Sequence, residues 1–74
     1  MPLYYFDWVL GANRIRDPNG IDLPDEEAAR WHAITEIRNM LRTTMGGSLD
    51  KHECKVEVCD EQHRMLFTVG CHEA

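Results

Sequence analysis

The chain has 74 residues, 43% of them hydrophobic, and its 13 acidic and 8 basic residues give a formal net charge of -5. This length accommodates one hydrophobic core, so we expect a single domain over residues 1–74. Nucleic-acid binding relies on clustered Lys and Arg, and the acidic balance therefore argues against a nucleic-acid partner. No apolar run approaches the roughly 20 residues of a membrane span, and no secretory pattern opens the chain, so we expect a cytoplasmic protein without a membrane partner.

The cysteines point to the same compartment. Cys54, Cys59 and Cys71 are an odd number and are confined to the last third of the chain. Such a set is a poor disulfide framework and suits a reducing environment. The composition therefore predicts free thiols.

The first third of the chain predicts a β-hairpin. Residues 3–10 are aromatic, β-branched or apolar and precede Gly11, which indicates a strand followed by a turn. The two-residue period of a strand places Tyr4, Phe6 and Trp8 inward and Tyr5 and Asp7 outward. Residues 14–16 are expected to return as the second strand. Residues 17–20 have type I turn chemistry before an extended Ile21 and Leu23, which leaves open whether the second strand continues through Gly20.

A helix is predicted from Asp25 to Met45. Asp25 can cap the free amides at its start, and Glu26 and Glu27 favour the positive end of the helix dipole. Gly46 and Gly47 favour its termination, and residues 48–51 would form a short loop. The 3.6-residue period gathers a core stripe on one side, composed of Ala29, Ala33, Ile37, Met40, Leu41 and Thr44.

Two alternating segments predict a second hairpin at the end of the chain. A loop of about four residues at Asp60 to His63 would pair Val58 with Met65, Val56 with Phe67 and Cys54 with Val69. That register puts the apolar residues on one face. The expected fold class is therefore α+β, in the order β-β-α-β-β, with one central helix packed on a small antiparallel sheet made of two hairpins.

A zinc- or thiol-dependent site is one functional interpretation of this hairpin. The expected register puts His52 opposite Cys71 and brings Cys54 onto the same face. Thiolates and imidazoles are good zinc ligands, but the sequence lacks a paired Cys-x-x-Cys. In the alternative interpretation Cys54 is a small core residue and Cys71 belongs to a frayed terminus, so no metal site is predicted.

No catalytic constellation or cofactor motif is recognisable. Ser48 is the only serine, and the sequence contains no nucleophile elbow or phosphate-binding loop. The acidic residues Asp22, Asp25, Glu26 and Glu27 could bind a hard cation, but capping and the helix dipole explain them. We therefore expect no enzyme and no cofactor.

The helix carries more apolar surface than a small sheet can cover. Trp31, Ile34 and Met45 form an arc beside the core stripe, together with Arg38. Either Trp31 lies along the sheet edge or over neighbouring loops, or this arc contacts another molecule. Trp and Arg are frequent interface anchors, and a domain this small gains little net stability alone. A protein-interaction module, most simply a homodimer, is therefore the favoured function.

Three motifs resemble a family of short bacterial proteins described only as a domain of unknown function. Its members open with Pro-x-Tyr-Phe-Phe, continue through Asp-x-x-Gly-x-x-Leu-Pro-Asp into an Ala-rich helix, and end around Asp-Glu-x-Gly-Arg. The corresponding segments here are residues 2–6, 17–25 with Ala28, Ala29 and Ala33, and 60–64. The resemblance covers almost the whole chain and supports its fold and boundaries.

Two departures from this family pattern stand out. Asp7 replaces a frequent His, and His63 replaces the Gly of the last hairpin. His63 can adopt the left-handed conformation of that Gly at a modest cost. The cysteines lie outside the motifs, and the resemblance brings no activity, substrate or cofactor.

Overall fold

The structure, a computed structural model, describes residues 2–43 and 54–73. Its elements in chain order are β1 (Leu3–Leu10), β2 (Asn13–Ile15), β3 (Ile21–Asp22), α1 (Glu26–Thr43), β4 (Cys54–Cys59) and β5 (Met65–Gly70), with a 3₁₀ turn at Cys71–Glu73. The expected α+β class is confirmed, with one short strand more than predicted. None of the described helices has the length and apolar character needed to cross a membrane.

All strand pairs are antiparallel, in the order β2-β1-β4-β5. Phe6 pairs with Val58 and Trp8 with Val56, so the first hairpin joins the second through β1 and β4. The helix covers one face of this sheet and packs mainly on β4. The hydrophobic core draws on both layers and consists of Tyr4, Phe6, Ala29, Ala33, Ile37, Cys54, Val56, Val58, Val69 and Cys71.

The second strand is not continuous through Gly20. β2 pairs with the end of β1, and β3 pairs separately with its start. In the intervening loop, one oxygen of Asp17 accepts the amides of Asn19 and Gly20, each at 3.1 Å. The other oxygen accepts the Phe6 amide at 3.2 Å, where a continuous strand would have supplied a carbonyl. The interruption is therefore a hydrogen-bonded loop.

The helix starts as predicted. Asp25 caps it, since its carboxylate accepts the Ala28 amide at 2.8 Å. Ala29, Ala33 and Ile37 of the expected core stripe have no exposed surface, and two further members, Met40 and Leu41, are partly buried. Thr44, Met45, the expected helix end at residues 46–47 and the loop at residues 48–51 lie outside the described residues.

The predicted register of the second hairpin is wrong by two residues. Val58 pairs with Phe67 and Val56 with Val69, and a bulge follows Val58. The turn spans five residues, since Asp60 and Arg64 are joined by a backbone hydrogen bond of 2.9 Å. His63 adopts the anticipated left-handed conformation, with φ of 64°. The longer turn moves each partner two positions along β5 and keeps the same faces.

The expectation of free thiols is wrong for two of the three cysteines. The observed register brings Cys54 opposite Cys71, and the two form a disulfide with a Cα–Cα distance of 5.2 Å. Both residues are buried. The disulfide joins the start of β4 to the 3₁₀ turn, so the predicted frayed terminus at Cys71 is wrong as well. Cys59 is a free, buried cysteine.

Asp7 points away from the helix as expected but is only 7% exposed. Its carboxylate accepts the Asp17 amide at 3.0 Å and lies 3.9 Å from the Arg14 guanidinium. Arg14 also pairs with Glu57 at 2.5 Å. Ion pairs thus connect β1, β2 and β4 on the face of the sheet that is turned away from the helix. The alternation of side chains along a strand does not predict these ion pairs.

Candidate functional site

The two sides of α1 face different edges of the sheet. On one side, His32 contacts Phe6 of β1, with ring centroids 4.7 Å apart. On the other side, the Arg30 guanidinium lies 4.6 Å from the centre of the Phe67 ring on β5. Ile34 is one helical turn beyond Arg30 and therefore lies on the β5 side as well.

Trp31 lies on the outward face of α1, nearly opposite the buried Ala33, and adjoins Ile34 along the helix. It is 57% exposed, so the described fold covers less than half of it. Helical spacing puts Arg38 beside it, two turns along, and Arg38 is also exposed. The structure thus brings together three of the four predicted interaction residues, Trp31, Ile34 and Arg38, and Met45 lies outside the described residues.

The edge strand β5 carries further exposed apolar side chains. Its six residues, Met-Leu-Phe-Thr-Val-Gly, carry no charge and no proline. Met65 is 60% exposed and Leu66 37%. The predicted inward position of Met65 is therefore wrong, because the register shift moves it from Val58 to a position next to the bulge at Cys59.

We use the name β5-side surface for these exposed or half-buried residues of α1 and β5, which are Trp31, Ile34, Arg38, Met65, Leu66 and Phe67. By the two-residue strand period Leu66 lies on the opposite face of the sheet from Phe67. Sequence reasoning missed its strand half, although an uncharged six-residue run in a terminal strand was a usable signal. Large apolar side chains beside Arg are typical of surfaces that bind other proteins. The β5-side surface is therefore the candidate functional site.

The cysteine candidates do not form the expected ligand set. His52 lies outside the described residues, and the sulfurs of Cys54 and Cys71 are bonded to each other. Burial raises the pKa of the Cys59 thiol, and the nearby carboxylate of Asp7 raises it further. A raised pKa lowers the thiolate fraction and hence the reactivity of this cysteine.

A cleft of about 370 Å³ lies on the other side of α1, between the helix and the loop that contains Asp17. Its walls include Phe6, Trp8, Arg16, His32 and Glu36. His32 and Glu36 pair with each other at 3.3 Å, and Asp17 binds backbone amides. The polar groups that line this cleft therefore mainly serve contacts within the fold.

The acidic residues near the helix start act at the helix N-terminus. Asp25 binds the Ala28 amide, and Glu26 and Glu27 occupy the first helical turn. Across residues 2–43 and 54–73, no three His, Cys, Asp or Glu side chains are placed to bind one metal ion.

Comparison with known proteins identifies a family without assigning a function. A family model described as a domain of unknown function, DUF6894, matches residues 3–71 of the 74-residue chain. Neither the search of curated proteins nor the search of solved structures finds a match.

Proposed function

Because the chain belongs to the DUF6894 family, whose description names no activity, we propose a function from the geometry alone: a non-catalytic protein-interaction module that forms a homodimer. The β5-side surface is the proposed interface.

The exposure of Trp31 carries the proposal. A Trp side chain has one of the largest apolar surfaces in proteins, and more than half of this one is uncovered. Buried Trp residues flanked by Arg are among the side chains that contribute most to binding energy in interfaces. Covering Trp31 with another molecule would remove this surface from water.

The size of the chain and the neutrality of β5 support a second copy as the partner. Chains of about 70 residues bury too little apolar surface for a large margin of stability, and association adds buried area. The chain has a net charge of -5, which disfavours close approach of two copies in general. The uncharged strand β5 is a region where that repulsion is smallest.

The first prediction is that Trp31→Ala weakens self-association. We expect a loss of about tenfold or more in the dimerisation constant, because truncation of a central interface Trp commonly costs over 1 kcal/mol. Sedimentation velocity over a micromolar concentration series measures the constant, and far-ultraviolet circular dichroism checks that the helix is retained.

Ile15→Ala is the matched control. Ile15 is 56% exposed, close to the value for Trp31, but lies on β2 at the opposite edge of the sheet. This variant is expected to dimerise like the wild type. A wild type that stays monomeric at high micromolar concentration, or equal effects of the two substitutions, would contradict the proposal.

A zinc- or thiol-dependent site remains the second candidate function, and it requires reduction of the disulfide. Only reduced Cys54 and Cys71 would offer thiolates to a metal. Replacing both cysteines by Ala separates the two candidates: dimerisation through the β5-side surface should persist, whereas zinc binding by the reduced wild type should be lost.

The proposed location is the cytoplasm. A stable disulfide is unusual in that reducing compartment, so the Cys54–Cys71 bond weighs against this location. Alkylation of free thiols in intact cells before lysis, followed by mass measurement, distinguishes the two states.

A further inference from the structure

We infer that two copies of this chain pair β5 with β5 in antiparallel fashion, centred on Phe67, and so form one continuous sheet. This inference rests on the proposed homodimer and specifies its geometry. It follows from the hydrogen-bonding groups that β5 leaves open, from its side chains and from the charges at its two ends.

The open backbone groups of β5 can be identified from Gly70. The Gly70 amide donates to the Glu73 carboxylate at 2.7 Å and therefore points away from β4. Successive residues of an edge strand point their amide and carbonyl alternately toward and away from the neighbouring strand. Leu66 and Thr68 thus present both groups to the outer edge of β5, which no other strand among residues 2–43 and 54–73 covers.

β5 has few of the features that usually prevent edge pairing. Edge strands are commonly protected by charged side chains, proline, bulges or short length. The opposite edge strand, β2, has three residues with Arg14 in the middle, and the Asp17 loop follows it. β5 has six uncharged residues. The one bulge lies in the neighbouring strand β4, after Val58, and affects only Met65, the first residue of β5.

The register follows from the open groups. In an antiparallel pair related by a two-fold axis through Phe67, Leu66 lies opposite Thr68 of the second copy, and the reverse pair is equivalent. Each pair exchanges two hydrogen bonds, so four form in total, and all use groups that have no backbone partner among the described residues of one copy.

The neighbouring registers fit less well. Centring the pair on Leu66 would place Thr68 opposite Arg64, whose amide and carbonyl both bind Asp60. Centring it on Thr68 would push the second copy against Gly70, whose open side is occupied by the Glu73 carboxylate.

Charge complementarity at the strand ends also favours the register centred on Phe67. In that register Arg64 of each copy lies opposite Gly70 of the other, where the Glu73 carboxylate is located. The Arg64 side chain is 76% exposed and therefore available to a second carboxylate. The two-fold axis creates this Arg64–Glu73 contact twice, which a partner of unrelated sequence would not do.

The helices then face each other across the seam. A two-fold axis perpendicular to the sheet keeps both helices on one face, each over its own β4. The two β4 strands are three strand spacings apart, about 14 Å, while directly packed helices lie 8–10 Å apart. Ile34 projects from the β5 side of each helix toward this gap, and Trp31 adjoins it on the outward face of the helix.

Disulfide trapping tests the register. Phe67→Cys is made in a Cys59→Ser background. In the proposed register the new thiol of one copy lies opposite the new thiol of the second copy, within the Cα separation that a disulfide requires. We expect a cross-linked dimer under mild oxidation, measured by mass spectrometry of the unreduced protein. Met65→Cys is the matched control. In the same register the thiols at position 65 of the two copies would be four residues apart along the strands, about 13 Å, and should not cross-link.

Thr68→Pro provides a test that needs no new thiol. The Thr68 amide points to the outer edge of β5, so proline at this position removes no hydrogen bond within one copy. In the dimer it removes two, one from the Thr68 amide of each copy. We expect dimerisation to weaken about tenfold or more, with Thr68→Ala close to wild type.

The outcomes separate this inference from the proposed function. Efficient cross-linking at position 67 and not at position 65, with weakening by Thr68→Pro, supports the paired sheet. A dimer that depends on Trp31 but resists Thr68→Pro and does not cross-link at position 67 overturns the pairing and leaves the proposed function standing. A wild type that is monomeric throughout overturns both.

Discussion

Asp17 shows how one side chain shapes the first half of the fold. Its carboxylate accepts three backbone amides, from Phe6, Asn19 and Gly20, while its own amide donates to Asp7. Gly20 has φ of 74°, and a Cβ there would lie 3.0 Å from a side-chain carbon of Leu3 and 3.1 Å from the Tyr4 carbonyl. The loop therefore requires both a carboxylate at position 17 and a glycine at position 20.

The prediction at this scale is that Asp17→Ala destabilises the protein. The Phe6 amide is partly buried and would lose its acceptor, which typically costs about 1–3 kcal/mol. Urea unfolding at a fixed protein concentration measures the change. Asp22→Ala is the control, because Asp22 is exposed and its side chain makes no hydrogen bond among the described residues, and it should change stability by less than about 0.5 kcal/mol. Equal effects of the two variants would show that the Asp17 hydrogen bonds are unimportant.

His63 is a second residue whose role follows from local geometry. Its φ of 64° is the conformation that a glycine adopts most easily, and the family pattern suggested this from the sequence. The His63 ring stacks on Tyr5, with centroids 4.2 Å apart. This contact, which glycine could not make, offsets part of the backbone cost.

At the scale of elements, the hairpin shows which features of the fold the sequence predicts and which it does not. Alternation of apolar residues correctly assigned the helix-facing side of β4, because a one-residue slip would reverse the faces. A slip of two residues preserves them, so the pattern could not exclude it. The turn decided the register, through the bulge after Val58 and the hydrogen bond between Asp60 and Arg64.

The missed disulfide follows from the same cause. With Cys54 placed opposite Val69, the sequence offered no partner for it within the sheet. The observed register puts it opposite Cys71, and the bond then joins β4 to the segment that follows β5. The odd number of cysteines led to the wrong inference that all three thiols are free. An odd number is equally compatible with one disulfide and one free cysteine, which is what the structure has.

The prediction for this element is that unreduced, denatured protein contains one titratable thiol and reduced protein three. Replacing both Cys54 and Cys71 by Ser should lower the free energy of unfolding by roughly 3 kcal/mol, because the bond closes a loop with a sequence separation of 17. Thiol titration and urea unfolding at fixed protein concentration measure the two effects. Three thiols without reductant would contradict the disulfide.

For the whole molecule, carboxylates link the strands and make stability depend on pH. Arg14 lowers the pKa of Glu57 from its ordinary 4.5, chiefly by a hydrogen bond. The backbone amide of Arg64 lowers the pKa of Asp60 from its ordinary 3.8. A carboxylate with a lowered pKa stabilises the fold above its ordinary value, and the stabilisation is lost as the pH falls below that value.

We therefore expect stability to decrease as the pH is lowered from 5, and Glu57→Gln to make this decrease shallower. Urea midpoints between pH 6 and pH 3, compared with those of Asp22→Asn as the control, measure the slope. Parallel curves for the wild type and Glu57→Gln would show that this ion pair does not contribute.

The candidate site was partly predictable at this scale. The helical period places Trp31, Ile34 and Arg38 outside the core stripe of the same element, and their role in an interface stays a prediction. The sequence could not show that β5 lies beneath that side of α1, since strand order depends on pairing between distant segments. Met65 and Leu66 were missed for this reason.

The interrupted edge at β2 and β3 also limits how many copies can assemble. A sheet with two open edges can add subunits without end and grow into a fibre. Here one edge is short, charged and broken by the Asp17 loop, while the other is regular. In the proposed dimer, pairing through β5 would use the regular edge of both copies, so assembly would end at two. The Asp17 loop would then prevent further strand addition, and its loss would open a route from a dimer to aggregation.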